Sequence, residues 1–261
     1  MNSQENDESP NKFEKLIKDL RDEKVLEEYK ASRDNYKTSF LPNLLGGFLV
    51  WCGNVVYGRE PSYLKFRAVE VIARVPYQSW ASAAYTLLTI FYTDEAKAMR
   101  LGHVKKFSRL ANDNETMHVV VISSIAKHEH KHVGVLRHTI IPMLFSFFYF
   151  WMSYCLFLVK REWSYELNYL FESHAFSQYS TFIKRHAEGL KNKPLENEFL
   201  KQYGRTNTNY YDFFLDVRSD EIVHRNSSIE KIEQLSDEEK EMNLWFIVLI
   251  VVLVWVVAKI F

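Results

Sequence analysis

Two short stretches of the 261-residue chain pair a glutamate with a histidine three residues later: Glu115 with His118, and Glu221 with His224. On a helix, positions i and i+3 share a face. Glu70 stands alone within Ala68-Val69-Glu70-Val71-Ile72-Ala73, and Glu172 stands alone in another apolar segment. A buried carboxylate without a partner is costly, so an acid in such a setting needs a cation or donors. Four segments thus offer four carboxylates and two imidazoles. That is the donor set of a di-iron carboxylate centre in a helical bundle, with one Glu from each of two helices and Glu-x-x-His from each of the other two. Oxygen and imidazole donors suit iron. Four carboxylates offset the charge of two iron ions and can bridge them, and the two histidines leave positions open for O2.

The neighbours extend this reading. Asn114 and Asp220 each precede a motif glutamate and could orient the ligands by hydrogen bonding. Tyr179 follows Glu172 by seven residues, two helical turns along the same face. A phenol there can supply an electron and a proton to the centre, though a core tyrosine would occupy such a position equally well. A third match, Glu129 with His132, lies in Lys127-His128-Glu129-His130-Lys131-His132. That stretch is polar throughout and reads as a solvated helix end.

The elements that would carry these residues follow from apolar periodicity. Helices are expected over residues 62–92, 103–126, 163–184 and 209–234. The first aligns Glu70, Tyr77 and Ala84, with a kink at Pro76. The second aligns Ala111, Glu115, His118, Ile122 and Ile125. The third aligns Asn168, Glu172, Ala175, Tyr179 and Phe182, and the fourth Phe214, Val217, Glu221, His224 and Ser228. Residues 1–10 are acidic and read as disordered, unlike a secretory signal or a basic transit peptide. Residues 11–29 carry a weak apolar stripe, expected as a polar surface helix and a dimer arm. Residues 40–57 are apolar but broken by Gly46, Gly47 and Gly53, which suits an element in a membrane interface or a core segment. Residues 139–159 hold no charge and could span a bilayer; the closeness of Glu172 favours a bundle helix with one lipid-facing side. Residues 188–208 read as a loop and 236–241 as a charged linker. Residues 244–258 form an uncharged apolar run bounded by Trp245 and Trp255, expected as a tail anchor.

The fold class is therefore all-α: a ferritin-like four-helix di-iron bundle with extra membrane-contacting helices and an apolar tail helix. The expected division is a polar arm over residues 1–35, the bundle over 36–235 and the anchor over 243–261. Formal net charge is zero, which argues against nucleic acid. The 15% aromatic share fits a tight helical core, a redox protein or a membrane interface. Cys52 and Cys155, the only cysteines, lie in apolar runs and form neither a disulfide framework nor a cysteine metal site.

Three stretches resemble the plastid terminal oxidases, the plastoquinol branch of the alternative oxidase family. They are Val71-Ile72-Ala73-Arg74-Val75-Pro76-Tyr77 after Glu70, Glu172-Ser173-His174-Ala175-Phe176 leading to Tyr179, and Tyr211-Asp212 ahead of Val217-Arg218-Ser219-Asp220-Glu221 with His224. The resemblance runs through residues 60–230 in order. It implies a monotopic, dimeric helical bundle and a non-haem di-iron quinol oxidase that reduces O2 to water without pumping protons. Carried over by position, the iron ligands are Glu70, Glu115, His118, Glu172, Glu221 and His224, and Tyr179 matches the redox-active tyrosine. His174 and Ala175 fall where the quinol head group is expected. Lys65 stands where these oxidases usually carry Arg, and Gln178 where Thr is usual. Lys keeps the charge but loses the fork of donors.

The implied partners are plastoquinol or ubiquinol, O2, a lipid bilayer and a second copy of the chain. The implied location is a thylakoid-type, inner mitochondrial or bacterial membrane, with most of the chain on the reducing aqueous side. A di-iron hydroxylase of a quinone precursor shares the ligand set, and a membrane-anchored structural relic would keep it without iron.

Overall fold

The computed structural model describes residues 10–243 continuously, and beyond them residues 245–248, 252, 255, 256 and 259. Of residues 1–10, expected as disordered, 1–9 fall outside the described residues, as does the continuity of the apolar tail, while Pro10 already begins a helix. Among those described there is no strand, only an isolated bridge between Pro194 and Asn209.

The expected helix over residues 62–92 is two: α4, Tyr63–Ala73, and α5, Val75–Phe91. Three helices precede it: α1, Pro10–Asp19, α2, Glu23–Ala31, and α3, Phe40–Tyr57. The break falls at Arg74 because Pro76 has no N–H for the ladder. At the start of a new helix that missing donor is no loss. Ser62 caps α4 by accepting from the Lys65 N–H. Helix α6, Glu95–His128, starts earlier than periodicity suggests because Asp94 caps it through the Lys97 N–H. It ends as expected in the polar histidine stretch, where His130 adopts a φ of 50°. There Glu129 pairs with Lys193 at 2.6 Å and His128 Nδ1 lies 3.2 Å from the Tyr210 hydroxyl. The third Glu-x-x-His motif thus lies at a helix end, with its glutamate taken by a lysine.

A π-helical turn, Leu136–Ile140, leads into α7, Ile141–Val159. Helix α8 runs Arg161–Lys191, and α10, Tyr210–Glu233, is capped by Asn209. Helices α4 with α5, α6, α8 and α10 pack around a common centre. One part of the core gathers Phe66, Met117, Tyr179, Phe182 and Phe214; another gathers Tyr77, Trp80, Ala84 and Tyr165. Burial of each such aromatic stabilises the fold by roughly 2 kcal/mol before entropy is counted.

Helices α3, Phe40–Tyr57, and α7 lie outside the bundle. Gly46 lets α3 approach α8, since a Cβ there would come within 3.2 Å of Leu170 Cδ1. On its other side α3 exposes Phe40, Leu44, Phe48, Trp51 and Val55, and α7 exposes Met143, Leu144, Phe147, Phe148 and Trp151. Residues 40–57 and 136–159 are long and apolar enough to cross a membrane by length and composition.

Three polar stretches are more structured than the sequence suggests. The surface helix expected over residues 11–29 is α1, Pro10–Asp19, and α2, Glu23–Ala31, with Asp22 capping the second. Its weak stripe is spent within the chain: Ile17, Leu20 and Leu26 are buried against Phe176, Ile222 and Val223. The loop expected over residues 188–208 contains the end of α8, the short helix α9, Glu198–Gln202, and two buried polar side chains, Arg205 and Asn207. The charged linker contains α11, Asp237–Lys240, with a Ser236–Glu239 capping box. Glu239 also accepts from Arg161 at 2.6 Å and Arg100 at 3.3 Å.

Candidate metal centre

Glu70 on α4, Glu115 and His118 on α6, Glu172 on α8, and Glu221 and His224 on α10 meet in the middle of the bundle, all buried. Ligand atoms of Glu70, Glu115, His118 and Glu221 lie within 4.8 Å of one another, and so do those of Glu115, Glu172 and His224. Glu115 belongs to both groups. His118 Nδ1 is 3.3 Å from Glu70 Oε2 and from Glu115 Oε2, and 3.6 Å from Glu221 Oε1. His224 Nδ1 is 2.7 Å from Glu115 Oε1.

Further residues brace this set. Asp220 Oδ2 lies 2.8 Å from His118 Nε2. Arg205 donates to both Asp220 oxygens, at 2.6 and 2.7 Å, so Asp220 is a carboxylate and can only accept. The His118 Nε2 therefore carries a proton, and Nδ1 is the nitrogen that faces the glutamates. Tyr179 donates its hydroxyl to Glu70, and its ring stacks on Phe66 at 4.0 Å. Tyr77 donates to Glu172 at 2.8 Å and accepts from Asn168 at 3.1 Å. Sequence placed Tyr77 and Asn168 on the inner faces without a role, and it missed Arg205. Asn114 does not do what was expected of it: its Oδ1 is buried without a hydrogen-bond partner, and it bonds to none of the six among the described residues.

Packing so much negative charge out of water changes the protonation of the group. Burial, then repulsion from Glu115, pushes Glu70 up to about 8 and holds Glu172 and Glu221 above the usual carboxylate range. Burial would lift Glu115 too, but His118 and His224 outweigh it and hold Glu115 well below that range. Burial opposes the charged form of His118, yet Glu115 and Asp220 raise it well above the ordinary imidazole value. Protons thus supply part of the positive charge the cluster calls for. Even so, Glu115 Oε1, Glu172 Oε2, both Glu221 oxygens and His224 Nδ1 have no partner with hydrogen-bond geometry among the described residues. Buried acceptors left over in this number fit cations as their partners.

A cavity between α3, α4, α7 and α8 reaches Tyr179. It is lined by apolar side chains such as Leu49, Phe145 and Phe171, with Lys65, His174, Ala175 and Gln178. Lys65 and Gln178, the two departures noted in the sequence, bond to each other at 2.9 Å. Lys65 Nζ also donates to the carbonyls of Gly58 and Arg59 at the end of α3. Burial, then Lys65, lowers His174 below its usual value, favouring the neutral ring.

The fold and its centre define a class: a helical bundle with buried carboxylates and imidazoles placed to hold metal between its helices. Residues 47–231 match the family model of the alternative oxidases, and the chain belongs to that family. A relative from Arabidopsis thaliana named ubiquinol oxidase 4, chloroplastic/chromoplastic, is 26% identical over 186 residues, 64% of this chain and 50% of that protein. The chain thus matches about half the length of that relative. No solved structure matches the chain.

Proposed function

We propose that the chain is a membrane-bound quinol oxidase that couples oxidation of plastoquinol or ubiquinol to reduction of O2 to water without moving protons across the membrane. The observation that carries this reading is the pair of donor groups sharing Glu115, beside a cavity that ends at Tyr179. Glu70, Glu115, His118 and Glu221 would hold one iron ion, and Glu115, Glu172 and His224 the other. Bound there, the two ions would supply O2 binding and the storage of electrons that quinols deliver in pairs. The balance is two quinols and one O2 giving two quinones and two waters.

The chain's own residues do the rest. Exposed apolar stripes on α3 and α7 lie in the bilayer interface and keep the cavity open to a lipid-soluble substrate. Lys65, His174 and Ala175 line the cavity and orient the quinol head group, with neutral His174 able to accept a hydroxyl proton. Tyr179 stands between cavity and centre, its phenolic proton held against Glu70, and delivers a proton and an electron across that gap. The stack of Phe66 on Tyr179 keeps water from this path. Residues 36–235 form the catalytic unit, residues 243–261 a membrane anchor, and the chain works as a homodimer with its bulk on the reducing aqueous side.

The test is iron content and O2 uptake of the purified protein with a soluble quinol. About two irons per chain and uptake abolished together with iron by Glu115→Ala are expected. Uptake retained in Glu115→Ala would refute the assignment, and a hydroxylated product in place of quinone would point to the hydroxylase.

A further inference from the structure

We propose that Arg205 is a positioning residue for this centre, holding Asp220 so that Asp220 fixes His118, and that through Glu14 it makes helix α1 part of the same brace. The inference rests on the reading of His118 as an iron ligand. Arg205 follows Gly204, whose φ of 74° turns the chain inward after α9. Its guanidinium is 2% exposed and spends all three nitrogens on two carboxylates. One amino nitrogen meets Asp220 Oδ2 at 2.6 Å; the other meets Asp220 Oδ1 at 2.7 Å and Glu14 Oε1 at 3.3 Å; Nε meets Glu14 Oε1 at 3.3 Å.

Such a buried ion pair is weak evidence for stability, because desolvating both charges offsets much of their attraction. What it does provide is direction. The planar fork fixes the Asp220 carboxylate in one plane, as a single ammonium would not. Asp220 Oδ2 then has one remaining role, accepting from His118 Nε2 at 2.8 Å. That contact sets the tautomer and the ring angle that aim Nδ1 at Glu70 and Glu115. Glu14 completes the set from 191 residues away in sequence. Undocking of α1 would therefore loosen one end of the centre. His224 has no counterpart of this brace among the described residues.

The experiment uses the full chain stripped of metal, with cobalt(II) as the probe, read by visible absorption and by equilibrium dialysis. Wild type is measured first: absence of bound cobalt would fail the metal-centre reading itself. Given binding by wild type, Arg205→Lys keeps the charge and removes the fork. It is expected to weaken one of the two cobalt ions about 10- to 100-fold, the range for losing a group that orients a ligand. Its absorption should change while the other ion is retained. Asp220→Asn should affect the same ion, and the double variant should lose little more than either single one. Glu14→Gln, at a partly exposed side chain, is measured alongside and should weaken that ion a few-fold. Cobalt affinity and spectrum unchanged in Arg205→Lys, with only a lower Tm, would overturn the proposal. Should Arg205→Lys fail to fold, Glu14→Gln decides alone, and wild-type cobalt binding in it overturns the proposal.

Discussion

The two ends of the centre are built from similar parts and braced by different physics. Beside the shared Glu115, one end has Glu70, Glu221 and His118 with Tyr179, and the other has Glu172 and His224 with Tyr77. At the first end a charged pair fixes the imidazole and the tyrosine lines the cavity. At the second the imidazole ring lies 5.4 Å from Tyr77, and Tyr77 is held by Asn168, which also donates to Ser228 at 3.1 Å. Neutral hydrogen bonds contribute about 1 kcal/mol each and tolerate some movement; a charge-assisted fork holds one geometry. The end held by the fork is the one that faces the cavity lined by Lys65 and His174, and the other end packs among Trp80, Phe107 and Tyr165.

Glu115 is the one residue common to both ends, so its loss should have the largest effect. Glu115→Ala is expected to bring iron from about two per chain to near none and to lower O2 uptake at least ~100-fold. Glu172→Ala, confined to the second end, should leave close to one iron per chain. Equal iron loss in the two variants, by metal analysis, would mean that the donors form one group and not two.

The tyrosines sharpen the same contrast. Tyr179→Phe removes the proton held against Glu70 and should lower turnover about 10²- to 10⁴-fold with iron retained. Tyr77→Phe removes an orienting bond to Glu172 and should cost about 10-fold or less. Comparable losses in O2 uptake would erase the distinction between a tyrosine that takes part in the reaction and one that steadies a ligand.

Protonation of the metal-free chain gives the next effect. Glu70, Glu172, Glu221, His118 and His224 all bind protons more tightly in the fold than when unfolded. Their contribution to stability is complete below the unfolded values and is lost as pH rises through the folded ones, about 8 for Glu70. Glu115 and Asp220 are shifted the other way, with Asp220 at about 2, so their contribution is lost only in acid. From about pH 5 to 8 the Tm of the chelator-treated protein should therefore fall, while that of the iron-loaded protein stays nearly level because metal replaces the protons. A metal-free Tm that rises over this range would show that the glutamates ionise in the fold without cost.

Much of this centre was legible in the sequence, for a definite reason. Glu115 with His118 and Glu221 with His224 sit at helical spacing, and Glu70 and Glu172 are charges in apolar surroundings; local pattern records both. Arg205, Glu14 and Glu239 left no such trace. Each lies in a polar stretch, and its partner is tens to hundreds of residues away: Arg205 with Glu14 across 191 positions, Glu239 with Arg161 across 78. Ion pairs between distant elements have no period, so the sequence reads their residues only as surface helix, loop and linker. Asn114 shows the converse error. Adjacency to Glu115 pointed it to the ligands just as adjacency to Glu221 pointed to Asp220, but neighbours on a helix point about 100° apart, and of the two only Asp220 bonds to a ligand, His118, among the described residues.

The smallest effect belongs to the neutral brace. Asn168 donates to the Tyr77 and Ser228 hydroxyls, both at 3.1 Å, while its own Oδ1 is buried without a partner among the described residues. Asn168→Ala removes two donated bonds but also one stranded acceptor, so the losses and the gain largely offset, leaving about 1 kcal/mol. In a chain of this size that lowers Tm by about 2 °C. Tyr77 keeps its bond to Glu172, so O2 uptake should change less than about 3-fold. Asp220→Asn at the other end leaves Arg205 buried beside a neutral amide and should cost about 3–5 kcal/mol. Thermal unfolding of the two iron-loaded variants side by side measures the difference between the braces. An Asn168→Ala variant as destabilised as Asp220→Asn would place charge and neutral hydrogen bonding on equal footing, and the contrast between the two ends would fail.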